Sequence, residues 1–381
     1  MNPWEDVFGE VPASFEQKIQ ETLAGLEDDT VIVNNKRRPR KAYVTALVAA
    51  IIAVLLAGTA LAIALHTEFF HSAYGTGIAG REGSTIIETD ESGNVIKVEG
   101  YPAIERVEVD PETAEALIGD YVASAKGQSI ELCGYTFTLR DYVIDENGIG
   151  AITVDVDNPD GLNIKEDGLY NVYAGEFQPF TMWVWAGGWP LDTNDLRDTE
   201  STTDTHARYV IYIAGGAQSA DELSVRFTAW NGTFMELDTH EETYGQVFPN
   251  YDEAELVIPT SDPVSVKSFA GGDMTAELSP VGLMLQWGDG YYAAGEQFDY
   301  RSLVIEYADG SEYVVKSESV YNQTVALGMG TTVWTAFNRL VEPENVTAIH
   351  VTGIHYSLVQ GGIGNIPQPE MVEETLTPVV Q

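Results

Sequence analysis

The hydrophobic pattern of the chain changes character at residue 66. Before it, two helical signatures stand in series. In "VPASFEQKIQETLAGLEDD", Phe15, Ile19, Leu23 and Leu26 recur at helical spacing on one face. Ser14 caps that helix, and Gln17, three residues on, closes a capping box. From Ala42 to Leu65 charged positions then vanish altogether. A helix needs about 20 largely apolar residues to cross hydrocarbon, so the run predicts a transmembrane helix. Its length, and the roughly 40 residues ahead of it, argue against a cleaved signal peptide.

Beyond His66 the period shortens to two. "TIIETDESGNVIKVEG" reads as two β-runs about a Ser-Gly-Asn turn, inside a Gly-rich stalk. One short helix follows in "VDPETAEALIGDYVASAKG": Asp110 caps it, Pro111 suits its first position and Gly127 closes the segment. Ala114, Leu117, Ile118, Tyr121 and Val122 fall on its apolar face. From Ser129 onward strand follows strand. Tyr135, Phe137 and Leu139 point one way against Thr136, Thr138 and Arg140, and Ile152, Val154 and Val156 alternate with Thr153, Asp155 and Asp157. A second series begins after Pro259 and Pro263, with Asp309-Gly310 as a hairpin turn.

The expected fold is therefore mainly β: a single transmembrane helix, then two antiparallel β-sandwich-like modules with one short helix at the start. The boundaries are a tail over 1–41, the membrane helix over 42–65 and a stalk with a hairpin over 66–106. The β modules take 107–260 and 261–360, and a loose Gly-, Pro- and Glu-rich tail takes 361–381.

Charge fixes the orientation. Lys36, Arg37, Arg38, Arg40 and Lys41 abut the apolar run on its N-terminal side, and positive flanks stay cytoplasmic. The N-terminus is thus expected inside, and everything after His66 outside the cell membrane. The chain of 381 residues has 59 acidic against 19 basic side chains, a net charge of −40; eight acidic and six basic residues precede His66, which leaves −38 for the remainder. Such a field repels nucleic acid and anionic lipid, which argues against either as a partner of the exterior. With 44% hydrophobic residues the exterior has the material for packed cores. Cys133 is the sole cysteine, so no intramolecular disulfide braces it.

No catalytic constellation emerges, and an enzyme is not expected. The six histidines form no metal-binding spacing, and Cys133, read as strand-interior, has no nearby histidine. In "DVDNPDGLNIKED" Asp155, Asp157, Asn163 and Glu166 occupy calcium-loop positions, but Pro159 replaces a ligand and Asp160 stands where the loop needs glycine. Calcium is thus only weakly indicated, and no other cofactor is. "FTMWVWAGGWP" concentrates Phe180, Trp183, Trp185 and Trp189. Such aromatics can stack on sugars or contact a protein, and sandwich core is the reading favoured for them.

In layout, and in "VPASFEQKIQETL" and "AEALIGDYVASAKGQSIELCGYTFTLRDYVIDENGIGAITVDVDNPDG", the chain resembles the single-pass, anti-sigma-factor-like membrane proteins of Gram-positive bacteria, whose extracytoplasmic all-β domains have no known function. The resemblance implies a tail that holds a cytoplasmic regulator such as a sigma factor, with Phe15, Ile19, Leu23 and Leu26 as its docking stripe, and an exterior that answers to an unidentified ligand. The other class consistent with the residues is a tethered binding or adhesion module whose tail is only an anchor.

Overall fold

The chain divides into two compact units, Met1–Gly58 and Thr59–Gln381. The computed structural model describes residues 66–89, 95–162, 164, 179–215, 223–230, 251–259, 261–288, 296–361 and 364–379, all in the second unit. The amphipathic tail helix, the basic cluster and the apolar run of 42–65 lie outside the described residues. Among the described residues no helix is long and apolar enough to cross a membrane.

The unit is mainly β, and its named strands pair antiparallel. After the helical residues 66–74 come a hairpin, β1 (Ser84–Thr89) and β2 (Val95–Tyr101), and then α1 (Pro111–Ile118). Then come β3 (Ala123–Ser124), β4 (Ser129–Leu132), β5 (Tyr135–Ile144), β6 (Ile149–Asp157), β7 (Phe180–Ala186) and β8 (Trp189–Pro190). The next are β9 (Thr193–Asp198), β10 (His206–Ala214), β11 (Leu223–Trp230) and β12 (Tyr251–Ile258). The last nine are β13 (Lys267–Gly271), β14 (Met274–Leu278), β15 (Gly282–Trp287), β16 (Glu296–Tyr307), β17 (Glu312–Lys316), β18 (Gln323–Met329), β19 (Thr332–Phe337), β20 (Val346–Gly361) and β21 (Gly364–Pro378).

One sheet runs β3-β5-β6-β10-β9 with β4 beside β5, and a second runs β12-β11-β7-β8. They face each other across a core in which Phe137, Phe180 and Phe227 meet, with ring centroids 4.8 and 5.4 Å from Phe137. The last nine strands form a single sheet in the order β17-β16-β20-β21-β13-β14-β15-β19-β18. It turns at a two-residue pairing of β13 with β21 and closes over its own core, which holds Phe269, Leu303, Phe337 and Leu376.

Between these two bodies lies a third core. β6 and β19 are each buried on both faces: Val154 and Val333 belong to their own sandwiches, while Ala151 and Trp334 point into the seam. Gly215 marks how tightly the seam closes. It holds φ +101°, and a Cβ there would stand 2.7 Å from the Trp334 ring, so conformation and space both require glycine.

Three expectations are corrected here. Residues 66–78 are no stalk: 66–74 are helical, and Phe69, Phe70, Ala73, Tyr74 and Ile78 are buried in the seam. The tail of 361–381 is not loose, because β21 pairs along β20 and places Val372 and Leu376 in the second core. The helix begins as expected, with Asp110 accepting from the Thr113 amide at 3.1 Å, but ends at Ile118 rather than near Gly127. A 3₁₀ turn, Gly119–Tyr121, leads from it straight into β3.

Candidate functional site

The seam grips residues 66–78 at every level. "HTEFFHSAYGTGI" contains Phe69, Phe70 and Tyr74, which bury completely beneath Ala114 and Ile118 of α1 and Val210 and Tyr212 of β10. The Phe69 ring meets Phe70 and Tyr74 edge-on, each at 6.1 Å. Burying each such side chain contributes about 1.5–3 kcal/mol.

Polar contacts then fix the register of the segment. Tyr212 donates its hydroxyl to the Ala73 carbonyl at 2.6 Å. Ser72 donates to Asp198 at 2.6 Å, and the opposite Asp198 oxygen accepts from the amides of Glu200 and Ser201 at 2.9 and 3.1 Å. The Thr199 amide donates to the Gly77 carbonyl at 2.9 Å. His71 lies 3.0 Å from Glu200, and His66 lies 3.0 Å from Glu115 of α1.

The charged end of the cradle is a carboxylate–guanidinium cluster. Arg208 is only 12% exposed; it donates to Asp155 at 2.7 Å and to Glu68 at 2.9 Å, while Arg140 approaches the other Asp155 oxygen at 3.3 Å. Burial pulls the Arg208 guanidinium down, yet Asp155 and Glu68 together hold it above its ordinary value. Burial also raises the neighbouring Asp141 carboxyl, against the pull of Arg140 and His66. Glu68 thus docks by charge where Phe69 and Phe70 dock by burial.

A second polar cluster crosses the seam at Asp145, in the β5–β6 turn. Ser279 donates to it from the β14–β15 turn at 2.6 Å, and the Asn147 and Ile149 amides donate at 2.9 and 2.8 Å. Burial pushes this carboxyl up to about 7 despite those three hydrogen bonds.

The other sequence candidates disperse. Asp155 faces the two arginines and Asp157 lies 2.8 Å from His206, so neither carboxylate of the calcium loop points into a shared site; Asn163 and Glu166 lie outside the described residues. Among the described residues no three His, Cys, Asp or Glu side chains are placed to hold a metal. Cys133 is not strand-interior but sits in the tight β4–β5 turn at φ +51°, where burial raises its thiol. His350 lies 2.9 Å from Glu306 and 3.1 Å from Thr375 across the long β16-β20-β21 ribbon.

Trp183 and Trp185 do share a face, but it is the outer one. Phe180, Met182 and Val184 take the core, leaving Trp183 half exposed and Trp185 beneath the Arg226 guanidinium, 3.8 Å from the ring centroid. Trp189 is exposed in the β7–β8 hairpin.

No family model and no curated protein matches the sequence. Among solved structures the chain is similar to the conserved domain protein from Bacillus anthracis, with 13% identity and a TM-score of 0.37 over 68% of this chain and 92% of that one.

Proposed function

We propose that the chain is a bitopic cell-envelope protein, whose exterior senses or binds outside the membrane and passes the event inward in the manner of an anti-sigma-factor-like regulator. The observation that carries this reading is the burial of Phe69, Phe70, Ala73, Tyr74 and Ile78, just beyond the apolar run of 42–65, in the seam between the two β bodies. A domain hung on a slack tether cannot transmit a change of arrangement. One that packs the first turns beyond the membrane into its own core does so whenever the seam shifts, because packed seams have discrete arrangements rather than a continuum. Under this reading the N-terminus is cytoplasmic, the two sandwich-like modules are extracytoplasmic, and the stripe of Phe15, Ile19, Leu23 and Leu26 docks in a partner's groove.

Capture with residues 1–41 tests the inward half: recovery of a sigma factor or another cytoplasmic regulator, abolished by Phe15→Ala with Leu23→Ala, supports it. Failure to recover any specific partner favours the tethered binding module instead. Protease added to intact cells tests the orientation, and an exterior that survives intact would refute it.

A further inference from the structure

Among the described residues, the outer face of the β12-β11-β7 sheet belongs to neither core nor seam. The register places Tyr251 beside Trp230, Glu253 beside Thr228 and Thr181, and Glu255 beside Arg226 and Trp183, with Trp185 one row further on. Same-face neighbours stand about 7 Å apart along a strand and about 4.8 Å across it, so these rows span roughly 10 by 20 Å. Tyr251 is 55% and Trp183 50% exposed. Between the aromatics, Arg226 reaches Glu253 at 3.5 Å and Glu255 at 3.4 Å while lying over Trp185.

We infer that this face binds a neutral polysaccharide, stacked on Trp183 and Tyr251 and hydrogen-bonded to Arg226, Glu253 and Glu255. The chemistry selects the ligand. Two carboxylates on a unit of net charge −38 repel a polyanion. An apolar partner would strand the Arg226–Glu253–Glu255 group away from water without replacing its hydration, which is costly. A neutral polyhydroxyl chain meets both demands. Its C–H faces lie on the rings, and its hydroxyls donate to the carboxylates and accept from the guanidinium. The inference rests on the reading above, that the exterior binds or senses outside the membrane, and names what it binds.

The test uses the full chain in a non-glycosidic detergent, titrated by calorimetry with cello-, xylo-, malto- and chitohexaose and with polygalacturonate. At least one neutral hexamer binds and polygalacturonate does not. Trp183→Ala or Tyr251→Ala weakens binding at least tenfold, about 1.4 kcal/mol, with the melting temperature unchanged, and Trp183→Tyr restores most of it. Three outcomes overturn the inference: no neutral hexamer bound at millimolar concentration, binding indifferent to Trp183→Ala and Tyr251→Ala, or a self-associated chain that Trp183→Ala returns to monomer. None of these bears on capture by residues 1–41, so the signalling reading stands or falls separately.

Discussion

The Ser72 hydroxyl and the Asp198 carboxylate meet at 2.6 Å, both buried, across 126 residues of chain. Ser72 lies within three residues of three buried aromatics, Phe69, Phe70 and Tyr74, whereas Asp198 ends β9 and organises the loop behind it. Their contact locks the leading segment to the first sandwich.

Removing the donor leaves a buried carboxylate with two of its three partners. Ser72→Ala should therefore cost about 1–3 kcal/mol, and Asp198→Ala should cost more, since it also releases the Glu200 and Ser201 amides. Thermal unfolding of the two variants and the double variant measures the coupling. Additive losses would show that the contact contributes nothing of its own.

Phe70 and Tyr74 make opposite predictions. Phe70→Ala empties a fully buried site and should destabilise by about 3–5 kcal/mol. The Tyr74 hydroxyl is buried and makes no hydrogen bond among the described residues, so Tyr74→Phe should be neutral or stabilising by up to about 1 kcal/mol. Denaturant midpoints for the pair decide it, and a strongly destabilised Tyr74→Phe would reveal a partner for that hydroxyl.

Asp145 gives the seam a pH dependence with a definite sign. Its folded-state value, about 7, lies above the ordinary 3.8 of an aspartate, so the folded chain binds the proton more tightly than the unfolded one. The stabilisation from the protonated form is full below about 4, fades as the pH rises and is lost above about 7, a swing of a few kcal/mol. Asp145→Asn keeps the same shape without the charge. It should flatten the melting temperature between pH 5 and pH 8, and a curve that keeps its slope would place the titration elsewhere.

Deleting 364–381 removes β21, and with it Val372 and Leu376 from the second core, while exposing the length of β20. The truncated chain should lose cooperative unfolding of the second body and become sensitive to protease. A truncated chain that melts like the full one would mean that β20 and β13 close the core without β21.

The fold was legible where local chemistry decides structure. Asp110-Pro111 sets a helix start whatever surrounds it, Phe137 and Leu139 declare an inward face by alternation, and Asp309-Gly310 turns with Gly310 at φ +82°. Long-range burial was not legible. Phe69 and Phe70 sit between Thr67-Glu68 and His71-Ser72, just ahead of a Gly-rich run, and only their aromatic bulk hinted at a core. Pro367 and Pro369 argued against a strand, yet they pair with Leu358 and Tyr356 in the part of β21 that has β20 on one side only, where a missing amide is tolerated. In β7 every residue but Thr181 is apolar, so no alternation revealed that Trp183 and Trp185 face out. The candidate site was missed for the same reason: its parts, Glu68, Asp155, Asp198 and Arg208, lie far apart in the chain, and Asp155 alone drew notice, as a calcium-loop position.

Burial of β6 and β10 on both faces has a consequence for folding accuracy. A strand that is apolar on one side only is punished for slipping by one residue, because the slip turns its whole core face to water. Val154 and Val210 point to opposite cores from adjoining strands, so hydrophobicity alone barely distinguishes the native alignment from its neighbour. The discrimination falls to the polar exceptions: Arg208 lies directly opposite Asp155 in the β6–β10 ladder, and Thr153 both accepts from the Asp141 amide and donates to the Asp141 carbonyl. Any slip would bury these groups unpaired, at a cost that apolar contacts elsewhere cannot recover. The few charged and hydroxyl side chains in the middle of the molecule thus serve as its alignment marks.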